Sequence, residues 1–359
     1  MGRLESLDVF RGATIAAMIL VNNPGTWSAV YPPLRHAEWH GWTFTDLIFP
    51  FFLWIVGVAM TLAFAKRVER GDGRRKLLLH ALRRTVILFA LGLLLNGFPF
   101  FHPATWRIPG VLQRIAVCYL AAALIFLWTS WRGQAVWTIA LLAVYWVLIG
   151  PGGVEKGANL ARHIDGLLLD GHMWAQTRTW DPEGVLSTLP AIATTLIGVL
   201  TGHLLRSGRG EAEKTVWMFV SGNALLVAGI VMNVWLPINK NLWTSSYSVF
   251  MAGMALNVFA FCYWLVDVKG YRRWTRPFAI YGMNAIAVYV LAGALEVLLD
   301  VIRVARAGQP VSLHEWLFQH LFAPWASPPN ASLLWALSFV AVLYLVAYGM
   351  YRRKWFVKV

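Results

Sequence analysis

Ten apolar runs, each close to the length that crosses a bilayer, leave this chain little choice of fold. They lie near residues 9–24, 44–65, 84–101, 110–129, 135–150, 186–206, 215–234, 247–266, 277–298 and 331–351. A helix rises 1.5 Å per residue, so roughly 20 apolar residues span the hydrocarbon core. Inside lipid every backbone polar group must be satisfied by helix or closed barrel. A barrel would show segments of about 10 residues with alternating polarity, and these runs do not alternate. The expected fold is all-α: a polytopic membrane bundle of about ten transmembrane helices forming a single domain over residues 1–359. The chain is only 13% charged, against about 25% in ordinary globular domains.

The net charge of +14 would suggest nucleic acid in a soluble chain. In a membrane chain the first explanation is the enrichment of cytoplasmic loops in Lys and Arg, and no nucleic-acid partner is expected. The run "KRVERGDGRRKLLLHALRR" between the second and third spans is the densest basic segment. Placing it in the cytoplasm puts all but nine of the 31 Lys and Arg residues on that side. Both termini are then cytoplasmic, in a multi-pass protein of the cell inner membrane surrounded by lipid. The long connections 25–43, 151–185, 235–246 and 299–330 face outward, and their tryptophans partly form an interfacial belt. The N-terminus has no small-residue cleavage site after an apolar core, so it is expected to be a retained first span. Cys118 and Cys262 lie within apolar runs, which indicates neither a disulfide framework nor a cysteine metal site.

Against this apolar background, "LRHAEWHGWTFTDLIFPFF" places His36, Glu38, His40 and Asp46 at the mouth of the second span. A carboxylate within a span is costly, on the order of 2.5–3.5 kcal/mol at the bilayer centre, so it usually faces a partner or a wet cavity. The loop before the span can fold back and offer the His36 imidazole to Asp46. A carboxylate holding one ring nitrogen fixes the tautomer and supports the imidazolium, and imidazole exchanges protons near neutral pH. Asn22, ending the first span at the same level, could orient a substrate or stabilise charge on a carbonyl oxygen. His36, Asp46 and Asn22 thus suit acyl transfer in which the substrate supplies the attacking atom. The bland alternative for a lone loop histidine is an interfacial residue. "HAEWH" is not H-E-x-x-H and has no third ligand, so no metal is expected, and His40 reads first as a loop polar residue.

Other polar groups are less specific. Asp8 and Arg11, three residues apart, are placed to pair on the first helix. Arg114 enters the fourth span, either snorkelling or lining a cavity. "DPEG" (Asp181–Gly184) and "INKNLW" (Ile238–Trp243) are turn chemistry or substrate contacts.

Together the blocks "RLESLDVFRG", "MILVNNPG", "LRHAEWHGWTFTDLIFPFFLWIVG", "GVLQRIAVCY", "DPEGVLSTLPAIATTLIGV", "INKNLWTSSYSVFMAG", "VDVKG" and "GMNAIAVYV" resemble the heparan-α-glucosaminide N-acetyltransferase family. That family includes a lysosomal membrane enzyme and bacterial relatives. The resemblance runs in order from Arg3 to about Leu298. It implies transfer of an acetyl group from cytosolic acetyl-CoA, as co-substrate, to the amine of a glucosamine-type sugar on the extracytoplasmic side. The family's catalytic histidine falls on His36, with its supporting groups on Asn22 and Asp46. Candidate CoA contacts are Arg114, Arg74, Arg75 and Arg272, with Lys76 and Arg273 beside them. Candidate sugar contacts are Asn23, Trp39, His40, Glu183, Asn239, Lys240, Asn241 and Asn284. The resemblance also suggests a homodimer. "EWHGW" departs from the animal enzymes next to the histidine, and only some eight residues precede the first span, where lysosomal members carry a luminal domain. The acceptor expected here is a bacterial glucosamine-containing saccharide.

Two rival readings belong to other classes. An amino-sugar permease would place its polar groups or broken helices near the midplane, whereas this cluster lies at a span's mouth. A non-catalytic scaffold would tolerate loss of His36 or Asp46, and both are present.

Overall fold

The computed structural model describes residues 4–306 and 309–357. Among the described residues are thirteen α-helices and one small hairpin. The helices are α1 (Glu5–Asn22), α2 (Phe44–Glu69), α3 (Arg74–Gly97), α4 (Val111–Trp128), α5 (Trp131–Ile149), α6 (Leu160–Leu169), α7 (Thr188–Arg206), α8 (Glu211–Met232), α9 (Ser245–Tyr263), α10 (Arg276–Met283), α11 (Ala285–Val301), α12 (Leu313–Leu321) and α13 (Pro328–Arg352). Strands β1 (Arg303–Arg306) and β2 (Gln309–Ser312) pair antiparallel, Arg303 opposite Ser312.

Each of the ten apolar runs lies on a helix, but not every helix is a plain span. Eight are long and apolar enough to cross a membrane: α2, α3, α4, α5, α7, α8, α13 and α9 with its π-helical extension to Val268. The ninth run is a bent pair, α10 and α11, meeting at 82°. Asn284 at the bend leaves the helical region, with φ −123° and ψ 32°. The first run, α1, carries Glu5, Asp8 and Arg11 within 18 residues and so fails the same criterion. Its charges are satisfied by protein, since Arg11 lies 3.5 Å from Asp8 and donates to the Gly282 carbonyl at 3.1 Å. The third helix begins ten residues before its apolar run, because the basic residues of Arg74–Arg84 propagate a helix as well as apolar ones do.

The centre of the bundle is α2 against α7, each 72% buried along its most apolar stretch, while α3, α5 and α8 are only 22% buried. The outer helices present Val86, Val136, Ile139, Val147 and Val227 outward, as lipid-facing surfaces require. Glycines allow the central pair to touch backbone to backbone. A Cβ on Gly198 would lie 2.1 Å from the Trp54 carbonyl oxygen, and one on Gly57 would lie 2.0 Å from that of Thr195. Small residues at such crossings are how membrane helices approach closely. Gly198→Ala is therefore expected to lower stability by roughly 1–3 kcal/mol through overpacking, seen as a fall in the thermal unfolding temperature in detergent. An unchanged transition would mean that the two helices can separate at no cost.

The helices run up and down, so the long connections gather at one end. Trp39 Nε1 donates to the Val154 carbonyl at 2.8 Å, Gly41 N to Ile238 O at 2.8 Å, and Gly25 N to Ser332 O at 3.2 Å. Arg107 reaches Asp181 at the same end. Short basic turns, including Arg70–Gly73, occupy the other end. Twenty-three residues of α2 separate Asp46 from Glu69, about 35 Å along the axis.

Candidate active site

The site is built on the start of α2. Thr43 is the N-cap and Asp46 the third helical residue, and together they form a capping box in which Asp replaces the usual Glu. Asp46 Oδ2 accepts from the N–H of Thr43 at 3.0 Å and of Ala37 at 3.0 Å, with Thr43 Oγ1 3.2 Å away. Thr43 Oγ1 also donates to the Arg35 carbonyl at 2.5 Å. These bonds fold the 35–37 segment back over the helix it feeds. The second oxygen, Oδ1, is left for His36, whose Nδ1 lies 2.6 Å away. Because a carboxylate only accepts, His36 Nδ1 donates in this contact, and in the neutral imidazole the lone pair is then on Nε2. The carboxylate is 1% exposed and the imidazole side chain 46% exposed. The pair thus has a buried carboxylate end and an accessible imidazole end.

A third group comes from the other side of the bundle. Lys240 Nζ lies 3.2 Å from both His36 ring nitrogens and 4.0 Å from Asp46 Oδ1. Equal distances mean that the amine addresses the ring between its nitrogens rather than one lone pair. Burial pushes the Lys240 pKa below its ordinary value, and the carboxylates of Asp46 and Glu183 only partly oppose this. The loop that presents it is fixed by Asn239, fully buried, whose Oδ1 accepts from Leu242 N at 2.9 Å and whose own N–H donates to Thr244 Oγ1 at 3.1 Å. Trp243 in this loop adopts φ 48°, an uncommon conformation for a bulky residue. Its ring lies 5.0 Å from Phe49 and 5.2 Å from the Arg114 guanidinium. Tyr247 Oη donates to the Asp46 backbone carbonyl at 2.6 Å, which ties α9 to the same turn.

Behind this lies a buried ionic lattice. Arg107 grips Asp181 with two bonds of 2.8 and 2.6 Å and Glu183 with one of 2.6 Å. Burial works against the Arg107 charge, but these partners outweigh it and raise its pKa. Asp165 on α6 accepts from Asp181 N and Val185 N, and burial raises its pKa. Arg114, 2% exposed, donates to Gly184 O at 3.0 Å and Ser187 Oγ at 2.5 Å. Its Nε and Nη1 have no partner among the described residues.

The residues singled out from the sequence divide accordingly. His36, Asp46 and Lys240 form one cluster. Glu183 lies within electrostatic reach of Lys240, and Arg114 is near both. His40 joins loosely, with Nδ1 3.4 Å from Asn239 Nδ2 and Nε2 4.0 Å from Glu155. Trp39 buttresses the loop through Val154 and stands edge-on to Trp180 at 5.4 Å. Asn241 is half-buried in the Lys240 loop. Asn22 and Asn23 instead line a cavity of about 720 Å³ whose walls do not include His36 or Asp46. Asn284 lies apart from the site: its side chain bonds Trp355 O and Val357 N. It follows Gly282, which abuts Asp8, some 14 residues along α1 from Asn22, about 21 Å. Arg74, Arg75 and Arg272 are exposed, and Arg272 pairs with Glu5 at 3.1 Å. Arg107, Asp165 and Tyr247 were not among the residues singled out. An arginine in a connection on the face expected to be poor in basic residues, "TWRIPG", was the available signal for Arg107.

Fold and site together define a polytopic membrane protein with a carboxylate-held imidazole at the mouth of a span. The chain belongs to the family described as heparan-alpha-glucosaminide N-acetyltransferase, catalytic, which matches residues 3–231. It is 30% identical to the heparan-alpha-glucosaminide N-acetyltransferase of Mus musculus, in an alignment covering 99% of this chain and 60% of that protein. The Homo sapiens protein of the same name is 29% identical over the same shares. This chain thus spans about 60% of the length of the curated relatives it matches.

Proposed function

We propose that this protein transfers an acetyl group from acetyl-CoA, across the membrane, to the amine of a glucosamine-type sugar. The observation that carries the reading is the 2.6 Å contact between His36 Nδ1 and a fully buried carboxylate, which leaves Nε2 as a base at an accessible surface. The names of the family and the relatives support the transfer of an acetyl group to a glucosaminide nitrogen. His36 Nε2 takes a proton from the sugar ammonium and gives it to solvent. The freed amine attacks the thioester carbonyl. As the C–N bond forms and the C–S bond breaks, the second nitrogen proton passes to the leaving thiolate, giving amide and CoA thiol. Acetylation of His36 itself, followed by transfer to the amine, is the two-step variant of the same chemistry.

In this reading the His36 end faces away from the cytoplasm, both termini are cytoplasmic, and the whole chain is one catalytic domain in the cell inner membrane. The protein works as a homodimer. CoA phosphates enter from the opposite end, with the exposed Arg74 and Arg75 the first contacts and Arg272 beside them. Arg114, with two free donors, meets the acyl-CoA within the bundle. Trp39, His40, Glu183 and the Asn239–Asn241 loop frame the acceptor.

The reading is tested with purified protein in detergent, acetyl-CoA and glucosamine, following released CoA thiol. Glucosamine-dependent release is the expected result. No release with any amino sugar, while vesicles bearing the protein take up N-acetylglucosamine, would overturn it.

Lys240 has a defined part in this chemistry. An ammonium 3.2 Å from the base lies beside the carbonyl oxygen that becomes negative at the tetrahedral stage. Removing one such donor typically costs about 10²–10³-fold in kcat, and Lys240→Met is expected to lose that much. Because the Lys240 pKa lies below the ordinary lysine value, its positive charge disappears as pH rises through that value, and activity should fall on the alkaline side. Lys240→Arg keeps its charge to higher pH, so its alkaline limb should move up or vanish. An unshifted limb would remove Lys240 from the mechanism.

A further inference from the structure

The cavity between the end of α1, the end of α11, α12 and the start of α13 is separate from the His36 cluster but opens at the same end of the bundle. Its volume, about 720 Å³, falls within the range of small-molecule sites. Its charge is one-sided. Glu296, Asp300 and Glu315 line it, and no Lys or Arg does. His314 is held rather than free, with Nδ1 3.2 Å from Asp300 Oδ1 and its ring stacked on Trp335 at 4.7 Å. Among the described residues, two buried polar atoms of the lining lack partners: Oδ1 of Asn23, a residue 6% exposed, and Nε2 of His314. At the rim Trp27 is 62% exposed, an aromatic surface of the kind that packs on a sugar ring. Asn22 also lines this cavity.

A cavity walled by three acidic side chains and, among the described residues, no Lys or Arg favours a positive ligand, and unpartnered buried amide and imidazole groups gain most from a ligand that brings hydroxyls. We infer that this cavity is a recruitment site for a protonated amino sugar, distinct from the point of transfer. The inference rests on the acetyltransferase reading for its physiological sense, since acetylation turns the cationic amine into a neutral amide. The same carboxylates that gather the substrate then hold the product weakly, which favours its release.

The test is equilibrium binding to the full-length protein in detergent, read by tryptophan fluorescence, with glucosamine, N-acetylglucosamine, glucose and ethanolamine as probes. Glucosamine is expected to bind at least tenfold more tightly than either neutral sugar, and more tightly than ethanolamine, an amine without the ring. The nearly isosteric Glu296→Gln should weaken glucosamine binding about tenfold or more. Asp300→Asn, altering a side chain 58% exposed, is the second variant should the first fail to fold. In the transfer assay the same variants should raise the KM for glucosamine and leave the KM for acetyl-CoA in place. Equal binding of glucosamine and N-acetylglucosamine, binding matched by ethanolamine, or no effect of either variant would overturn the inference. If the wild type transfers no acetyl group, the acetyltransferase reading falls, and the binding measurements still decide the cavity's role.

Discussion

His36→Ala is expected to reduce glucosamine acetylation by at least about 10²–10⁴-fold, the usual worth of a positioned general base. It is expected to leave the folded protein intact. The two halves of that expectation have separate grounds. The imidazole is nearly half exposed, and its polar contacts among the described residues are the Asp46 carboxylate and the Lys240 amine, so its removal opens no cavity in the core. Asp46 keeps its two backbone hydrogen bonds, from the N–H groups of Ala37 and Thr43, and therefore still starts α2. Elution volume and thermal transition should match the wild type while CoA release falls. Rapid mixing separates the two chemical routes. A burst of CoA without any sugar, present in the wild type and absent in the variant, is the signature of an acetyl-histidine. Release that always waits for the sugar is direct transfer. A His36→Ala protein with wild-type turnover would disprove the site altogether.

The spans and the His36–Asp46 pair were legible in the sequence for the same reason: an ionisable group is conspicuous where the surroundings are lipid. Asp46 could be singled out because Leu47–Phe52 after it is uninterrupted and apolar. What the sequence could not give was the partner 204 residues away. Lys240 was legible only as one polar residue among several in "INKNLW", because nothing local says which loop meets which at the end of a bundle. Asn239, its neighbour, turned out to be the residue that shapes the loop. Asn284 is the converse case: a buried asparagine in an apolar run stands out in the sequence, and its bonds close the C-terminal segment onto a helix break. The short elements α6, α12 and the β1–β2 hairpin left no periodicity long enough to read within loops of Trp, Pro and Gly. The bend at Asn284 was also invisible, since the apolar run continues through it and the close approach of Asp8 on α1 to Gly282 is a contact no local pattern announces.

Asp46→Asn is the substitution that separates structure from catalysis at this turn, and its expected effect on rate is of the same order as that of removing the imidazole. The native carboxylate divides its work, with Oδ2 toward the backbone of Thr43 and Ala37 and Oδ1 toward His36. An asparagine has one accepting atom and must choose. If its oxygen serves the backbone, its NH₂ faces His36 and donates to Nδ1. The imidazole then carries its proton on Nε2 and cannot accept one from the substrate. In hydrolytic triads the equivalent wrong tautomer costs about 10⁴-fold in kcat, and a loss of that order is expected here with a near-native thermal transition. If the oxygen serves His36, the NH₂ faces two backbone donors in a fully buried site. An unsatisfied group of that kind costs about 1–3 kcal/mol, which would appear as a lowered transition and a frayed start to α2. The first arrangement keeps two backbone bonds for the loss of one side-chain contact to a half-exposed ring, so it should prevail. The measurement is kcat beside thermal stability for the same purified variant. A protein that is less stable but retains its kcat would reduce Asp46 to a helix cap, and the role assigned to His36 would then lack its orienting partner.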